Sequence, residues 1–393
     1  MKIHPYLIIG GGMTGDAAAK AIRKIRPDAE VTIIGSEPHP PYKRPPLSKK
    51  LWKGDPLESV WLKTADKGVN LILNTRVTGL DPDAKVVTDE QGNRYGYEKL
   101  LLATGGTLKK LPFGKEAILY YRYLDDFLTL QREAEQMQSF AVLGGSFIGS
   151  EIAAGLRMNG KDVTMAFMEK GISALVFPAG LSQFVTDYYR QKGVTIYPEE
   201  TVKELQREGE RWKVTTLAHT ILADRVVGGI GISPNVELAQ QAGLKLEKGI
   251  LVDRYLQTSH PDIYAAGDSA SIFNTVLNRL QHYEHEDNAV KMGAAAGKNM
   301  AGEAAPYDGY LPYFYSDLFE LGYEAVGVLD ARLETFEDWQ EPYRKGVVYY
   351  LEQGKVVGVL LWDVWGQVKA AREVIQSTQQ NPIGSVSQLK GRL

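Results

Sequence analysis

The sequence predicts an α/β protein made of two copies of a β–α–β unit followed by an α+β domain. Three observations predict it. Apolar and small-residue segments alternate as strand and helix through the first third, the same pattern restarts near the middle, and the C-terminal part changes to strand after strand. In the first unit, Tyr6–Ile9 reads as a strand. A small-residue helix runs through Ala17-Ala18-Ala19, Pro27 closes it, and strand Val31–Ile34 follows. In the second unit, strand Phe140–Leu143 leads to a helix through Glu151-Ile152-Ala153-Ala154 and then to strand Val163–Phe167. Such alternation predicts parallel sheets with helices on both faces. The spacing of 134 residues from Gly10 to Gly144 points to a duplicated domain rather than a short solenoid repeat. In the C-terminal part, Tyr323–Leu329, Gly346–Leu351 and Lys355–Leu361 read as strands, the last two joined by Glu352-Gln353-Gly354, and a polar helix over Gln367–Gln376 follows.

Composition narrows the function. A chain of 393 residues holds two or three domains. Its 45 basic and 48 acidic side chains give a net charge of −3, which offers no electrostatic reason for a nucleic-acid partner. No apolar run approaches the roughly 20 residues of a membrane span. The N-terminus enters a strand pattern almost at once, without the charged start and apolar stretch of a signal peptide, so the expectation is a soluble, cytoplasmic protein. The chain has 0 cysteines, which removes disulfide scaffolds, thiolate metal sites, iron–sulfur clusters held by this chain and cysteine nucleophiles. No metal site is expected.

Each β–α–β unit carries a glycine loop between its first strand and its helix. Gly10-Gly11-Gly12-Met13-Thr14-Gly15 fits G-x-G-x-x-G. Gly10 permits the tight turn, Gly12 lets the backbone approach a pyrophosphate, and Gly15 lets helix and strand pack closely. The phosphates would then meet free N–H groups at the positive end of the helix dipole. Glu37, 22 residues after Gly15, is placed to accept hydrogen bonds from ribose hydroxyls. The second loop, Gly144-Gly145-Ser146-Phe147-Ile148-Gly149, matches at the first and third glycines but has Ser146 at the second. A serine there crowds a pyrophosphate unless its hydroxyl donates to it. Glu169 follows Gly149 by 20 residues, and an acid at that place repels a 2′-phosphate and favours NADH over NADPH, although Lys170 beside it opposes this. These loops predict two Rossmann-like dinucleotide-binding domains, one for FAD and one for NAD. The expected boundaries are residues 1–115 with 236–305 for FAD, 116–235 for NAD, and 306–393 for a C-terminal α+β, interface-like domain.

Further segments support a flavin. Leu100–Gly105 is an apolar strand ending in a small turn that returns against the first nucleotide. Ile263-Tyr264-Ala265-Ala266-Gly267-Asp268 ends on a carboxylate able to hold ribitol hydroxyls. The stretch Pro41-Tyr42-Lys43-Arg44-Pro45-Pro46-Leu47-Ser48-Lys49 could be a surface polyproline segment. Yet it resembles the flavin-site segment of the ferredoxin-reductase-like pyridine nucleotide flavoproteins, and Arg44 to Trp52 resembles the pattern of their apoptosis-inducing-factor-like branch. Ala103-Thr104-Gly105-Gly106-Thr107, Gly149-Ser150-Glu151, Tyr315-Ser316-Asp317-Leu318 and Gly322–Gly327 are similar to that family too, so the likeness spans almost the whole chain.

The resemblance implies roles. Gly10, Gly12, Met13, Thr14, Gly15, Glu37, Arg44, Lys49, Val77, Ala103, Thr104, Gly105, Arg122, Asp268, Glu284, His285 and Tyr315 would contact FAD. Gly144, Gly145, Ser146, Phe147, Ile148, Glu151, Glu169 and Gly231 would contact NAD. Phe147 would cover the isoalloxazine, Glu151 would pair with Lys49 and touch the carboxamide, and His285 would stack on the flavin's other side. Lys49, Glu151, Phe147 and His285 are therefore the expected catalytic residues. Ser146 departs from the family glycine, Tyr315 stands where apoptosis-inducing factor has tryptophan, and the long C-terminal insertion of the animal protein is missing.

A lysine near flavin N5 favours the reduced flavin, and a glutamate beside it fixes the lysine and moderates its charge. Without cysteine, electrons must leave from the flavin itself to a ferredoxin or rubredoxin, a quinone, another small acceptor or oxygen. The resemblance to apoptosis-inducing factor implies slow turnover and a charge-transfer complex of reduced flavin with NAD⁺. Two alternatives stand beside it: an NADH:ferredoxin or rubredoxin reductase, and an NADH-sensing interaction protein whose homodimerisation depends on NADH. Lys43, Arg44, Lys49, Lys50 and Lys53 form a basic cluster that could dock a carrier. Tyr349, Tyr350, Trp362 and Trp365 are open between core and interface.

Overall fold

The computed structural model describes residues 1–114 and 116–393. The chain divides into two compact units. One comprises Met1–Lys43, Glu58–Thr107 and Ser233–Pro312, the other Arg44–Leu57, Leu108–Ile232 and Tyr313–Leu393.

The first unit is built on a seven-stranded sheet. Strand Ile3–Ile9 lies between the parallel strands Val31–Ile34 and Arg94–Leu102, and Ile263–Ala265 pairs in parallel with Arg94–Leu102. The C-terminal ends of these strands are apolar and covered on both faces: Leu7, Ile8, Leu100, Leu101 and Leu102 are fully buried, whereas Arg94 and Glu98 at the start of their strand are exposed. Helix Met13–Ile25 follows the first strand, and helix Glu286–Met300 packs on it. Their close approach is set by glycine: a Cβ on Gly293 would lie 2.4 Å from the Thr14 carbonyl oxygen, and one on Gly297 would lie 2.3 Å from that of Ala18.

The second unit holds a five-stranded parallel sheet in the order Thr195–Tyr197, Asp162–Ala166, Ser139–Leu143, Arg225–Gly228, Ile118–Tyr120. A three-stranded antiparallel meander over Glu204–Ala223 accompanies it. The C-terminal sheet of this unit has five antiparallel strands, in the order Tyr313–Leu318, Leu321–Gly327, Lys355–Trp362, Lys345–Glu352, Glu334–Glu341, with helix Val368–Gln380 against it. Two of these strands lie outside the three expected. The strand expected to reach Leu329 stops at Gly327, which has φ +78° and where a Cβ would lie 2.4 Å from the Val357 carbonyl oxygen. The last helix runs past Gln376 because its final turn is used: Thr378 Oγ1 accepts from the Val356 N–H at 3.0 Å, and Gln379 Nε2 donates to the Val356 carbonyl at 2.8 Å.

Tyr349, Tyr350 and Trp362 are fully buried, so they are core; Trp365 is half exposed. Among the described residues no helix is long and apolar enough to cross a membrane.

Candidate active site

In the first unit, loop and strand geometry account for two of the three loop glycines. Gly10 has φ +121°, and a Cβ there would meet the Ala103 carbonyl oxygen at 2.0 Å. A Cβ on Gly15 would meet the Gly10 carbonyl oxygen at 2.2 Å, so the loop and the first helical turn touch through backbone alone. A Cβ on Gly12 meets nothing within 4 Å. The protein has no need of glycine there, whereas a ligand drawn close to the backbone does. Gly12 is also the N-cap of helix Met13–Ile25 and supplies no capping side chain, which leaves that helix end available to an anion. The turn Ala103-Thr104-Gly105 abuts this loop, held by Asn235: Thr104 Oγ1 donates to the Asn235 carbonyl at 2.7 Å and Asn235 Nδ2 returns a bond to the Thr104 carbonyl at 2.8 Å. Asn235 carried no signal in the sequence.

Glu37 follows the second strand and accepts a short hydrogen bond from the Tyr42 hydroxyl. Val77 opens a strand of the same sheet and is buried. Asp268 stands in the turn after strand Ile263–Ala265, and Gly267 before it has φ +77° with no room for a Cβ beside Thr14. His285 is the N-cap residue of helix Glu286–Met300. Burial pushes its imidazole down to about 4, against the upward pull of the Asp268 charge. His282 is also opposed by burial, but the hydrogen bond to Glu284 at 3.2 Å helps raise it. An open-faced glycine, an uncapped helix start, an acid after the second strand and Asp268 fit the pyrophosphate, ribose and ribitol of FAD.

In the second unit the second loop repeats the pattern. Gly144 has φ +113°, and a Cβ there would meet the Gly229 carbonyl oxygen at 2.4 Å. Gly149 stands against Gly144 in turn, at 2.1 Å. Gly145 packs against the Phe167 ring, and Gly231, with φ +93°, lies in the turn after strand Arg225–Gly228. Ser146 caps helix Phe147–Met158 by position but not by its side chain. Ile148 is more than one-third exposed on the first turn. Glu169 follows strand Asp162–Ala166, with its carbonyl accepting from the Glu199 N–H at 3.0 Å.

The Arg44–Leu57 segment is part of this second unit. The Trp52 ring lies flat on Gly155, where a Cβ would come within 2.9 Å, and Trp52 Nε1 donates to the Leu47 carbonyl at 2.9 Å. The Tyr121 hydroxyl donates to the same carbonyl at 2.5 Å. Anchored in this way, the segment places Lys49 Nζ 2.9 Å from Glu151 Oε1. Both are buried, at 8 % and 3 % exposure, so this is an interior ion pair rather than two surface charges. Lys49 also lies over the Tyr315 ring at 5.2 Å, and Phe147 meets Phe314 edge to face at 5.3 Å. Arg44 packs over the Tyr123 ring and donates to the Arg122 carbonyl at 3.3 Å. The basic cluster is thus partly committed, since Lys53 also pairs with Asp317 at 3.1 Å.

Comparison with known proteins agrees with this architecture. The profile for pyridine nucleotide-disulphide oxidoreductases matches residues 4–293, and that for the apoptosis-inducing factor, mitochondrion-associated, C-terminal region matches residues 296–341 and 336–377. Monodehydroascorbate reductase 3 of Arabidopsis thaliana is 34 % identical over 92 % of this chain and 89 % of its own length. The putative mitochondrial apoptosis-inducing factor 1 of Drosophila melanogaster is 29 % identical over 99 % of this chain, which spans 65 % of that relative's length. The covalent putidaredoxin reductase–putidaredoxin complex contains a chain that superposes with a TM-score of 0.88 at 27 % identity, covering 96 % of this chain and 93 % of that one. The chain belongs to the pyridine nucleotide-disulphide oxidoreductase family, FAD-dependent oxidoreductases of NAD(P)H.

Proposed function

We propose that this chain oxidises NADH through FAD and hands the electrons on without a thiol relay. The observation that carries this reading is the buried Lys49–Glu151 pair, 2.9 Å apart, whose glutamate lies on the helix that opens from the second glycine loop. Bound FAD supplies a hydride acceptor that can release electrons in pairs or singly. The protein's part is to bind, orient and tune charge. Gly10 to Gly15 with Glu37, Val77, Thr104 and Asp268 hold the flavin nucleotide, and Gly144 to Gly149 with Glu169 and Gly231 hold NADH. Lys49 presents a fixed positive charge where negative charge accumulates on reduction. Glu151 fixes that lysine and contacts the nicotinamide carboxamide. Phe147, steadied by Phe314, gates the nicotinamide's approach. In the first unit His285, uncharged at neutral pH, and Glu284 contact the flavin; in the second unit Arg44, Arg122 and Tyr315 do so. Hydride transfer needs no general acid or base, so none is assigned.

With 0 cysteines in the chain, electrons leave directly from the flavin. The first reading is a slow oxidase-like turnover in which NAD⁺ stays bound to the reduced protein. A second reading, delivery to a ferredoxin-type carrier, is favoured by the similarity to a reductase captured with putidaredoxin. Anaerobic titration with NADH, followed in the visible spectrum, tests both. Bleaching with a persistent long-wavelength band and slow reoxidation in air supports the first reading. Bleaching without the band and rapid reoxidation by added ferredoxin supports the second. Bleaching by NADPH alone refutes the role given to Glu169, and a protein purified without flavin refutes the whole proposal. Lys49→Gln and Glu151→Gln should slow reduction by at least about tenfold while keeping FAD, because each disturbs the charge at the reacting position. Parent-like reduction in both variants would remove the pair from that position.

A further inference from the structure

Glu151 has more partners than its lysine. Its Oε1 receives Lys49 Nζ at 2.9 Å and the Ser316 hydroxyl at 2.5 Å, and its Oε2 receives the Ser48 hydroxyl at 2.5 Å. All four side chains are buried, Ser316 to 1 % and Ser48 to 4 % exposure. The donors come from two segments far apart in sequence, and Glu151 itself from a third. Ser48 ends the short turn Pro45–Ser48, Lys49 follows it, and Ser316 sits in strand Tyr313–Leu318 of the C-terminal sheet. Ser316 is the register partner of the buried Tyr323 on the neighbouring strand, so the clamp is anchored in the core of that sheet.

A carboxylate this deeply buried loses its hydration and needs hydrogen-bond donors in place of water. The ion pair is made at Oε1, where the Ser316 hydroxyl also donates, and the Ser48 hydroxyl donates at Oε2. Removing either serine takes a donor from the buried carboxylate. A hydroxyl donating at 2.5 Å is a short, charge-assisted bond.

We propose that Ser48 and Ser316 are positioning residues of the hydride site: together they hold the Glu151 carboxylate in one place, and through it they keep the Lys49 ammonium aimed. The inference rests on the role given above to the Lys49–Glu151 pair. It also gives the C-terminal sheet a part in the reductive step, through a single hydroxyl.

Anaerobic stopped-flow reduction of the FAD-loaded protein by NADH, with the limiting rate and the apparent NADH affinity read separately, is the test. Glu151→Gln serves as the benchmark. Ser48→Ala and Ser316→Ala should each slow the limiting rate about tenfold, the effect of losing one charged hydrogen bond, with little change in NADH affinity. The double variant should approach Glu151→Gln, and Ser316→Thr should restore the rate. Serine variants with lower melting temperatures but parent-like limiting rates, beside a slow Glu151→Gln, would overturn this inference and leave the pair's role standing. A parent-like Glu151→Gln would overturn both. Should Ser316→Ala fail to fold, the limiting rate of Ser48→Ala decides the matter.

Discussion

The two glycine loops share their first and third positions and differ in the middle. Gly10 and Gly144, Gly15 and Gly149 are all fixed by contacts with their own unit's backbone. The middle residues have nearly the same conformation, φ −92° and ψ −169° at Gly12 against φ −96° and ψ −161° at Ser146. That extended geometry accepts any side chain. The difference between the loops therefore separates two demands within one motif. The fold imposes its outer glycines and leaves the middle position open. On the function proposed above, the nucleotide makes the demand there: a unit with glycine in the middle would take its pyrophosphate against bare backbone, while one with serine would meet it through a hydroxyl.

The largest expected effect lies at the outer positions. Gly10→Ala or Gly144→Ala places a methyl into a carbonyl at 2.0 or 2.4 Å from a left-handed backbone, and each should cost more than about 3 kcal/mol. Chemical denaturation would show it, and parent-like midpoints would break the claim that the fold demands these glycines. Next comes Gly12→Val. Its Cβ meets no protein atom within 4 Å, so the variant should fold and melt near the parent yet be purified without flavin. A yellow, folded Gly12→Val would mean that the pyrophosphate does not approach there.

Much of this was legible in the sequence, for identifiable reasons. Both β–α–β units were, because parallel strands buried on both faces are continuous apolar runs and the loops punctuate them. The strand Ile263–Ala265 and the turn that carries Asp268 were, because a short apolar run ending in Ala-Gly marks a buried strand and its exit. The C-terminal sheet was legible only at its centre. Its edge strand Glu334–Glu341 is half-exposed and charged, so it shows no apolar run. Tyr349, Tyr350 and Trp362 lie on strands buried along nearly their whole length, which makes them core. The Lys49–Glu151 pair spans 102 residues and became visible only through a family likeness. Ser48 and Ser316 gave no signal, since single serines have none until a fold brings them to one carboxylate. Gly293 and Gly297 did carry one, a spacing of four small-residue positions on a helix, which marks a close helix crossing.

A smaller effect is expected at the middle of the second loop. Ser146 does not use its hydroxyl to cap its own helix, so it is left to serve the nucleotide. Ser146→Ala should weaken NADH binding about fivefold, the value of one neutral hydrogen bond, while Ser146→Gly should lie between that variant and the parent. Fluorescence titration would measure it. Tighter binding in both would show that the serine crowds the pyrophosphate instead of donating to it.

The smallest effect separates the units by pH. In the first unit His285 is held near 4, below its ordinary 6.5, so the unfolded chain takes up its proton first. Its contribution to stability is complete above about pH 6.5 and is lost as pH falls toward 4. In the second unit, burial alone would raise the Glu200 carboxyl, but bonds from Thr216, His219 and the Ala218 N–H outweigh it and bring it to about 2. That contribution is complete above about pH 4.5 and is lost progressively as pH falls from there toward 2. Between pH 6.5 and 4.5, then, these two groups predict that the first unit loosens while the second holds. Hydrogen exchange corrected for intrinsic rates should show faster opening of helix Glu286–Met300 at the acid end, with the strand Thr195–Tyr197 unchanged. His285→Gln, which has no proton to gain, should flatten the response of that helix. An equal loss of protection in both units, unaltered by the substitution, would show that the histidine's burial does not set the acid limit of the first unit.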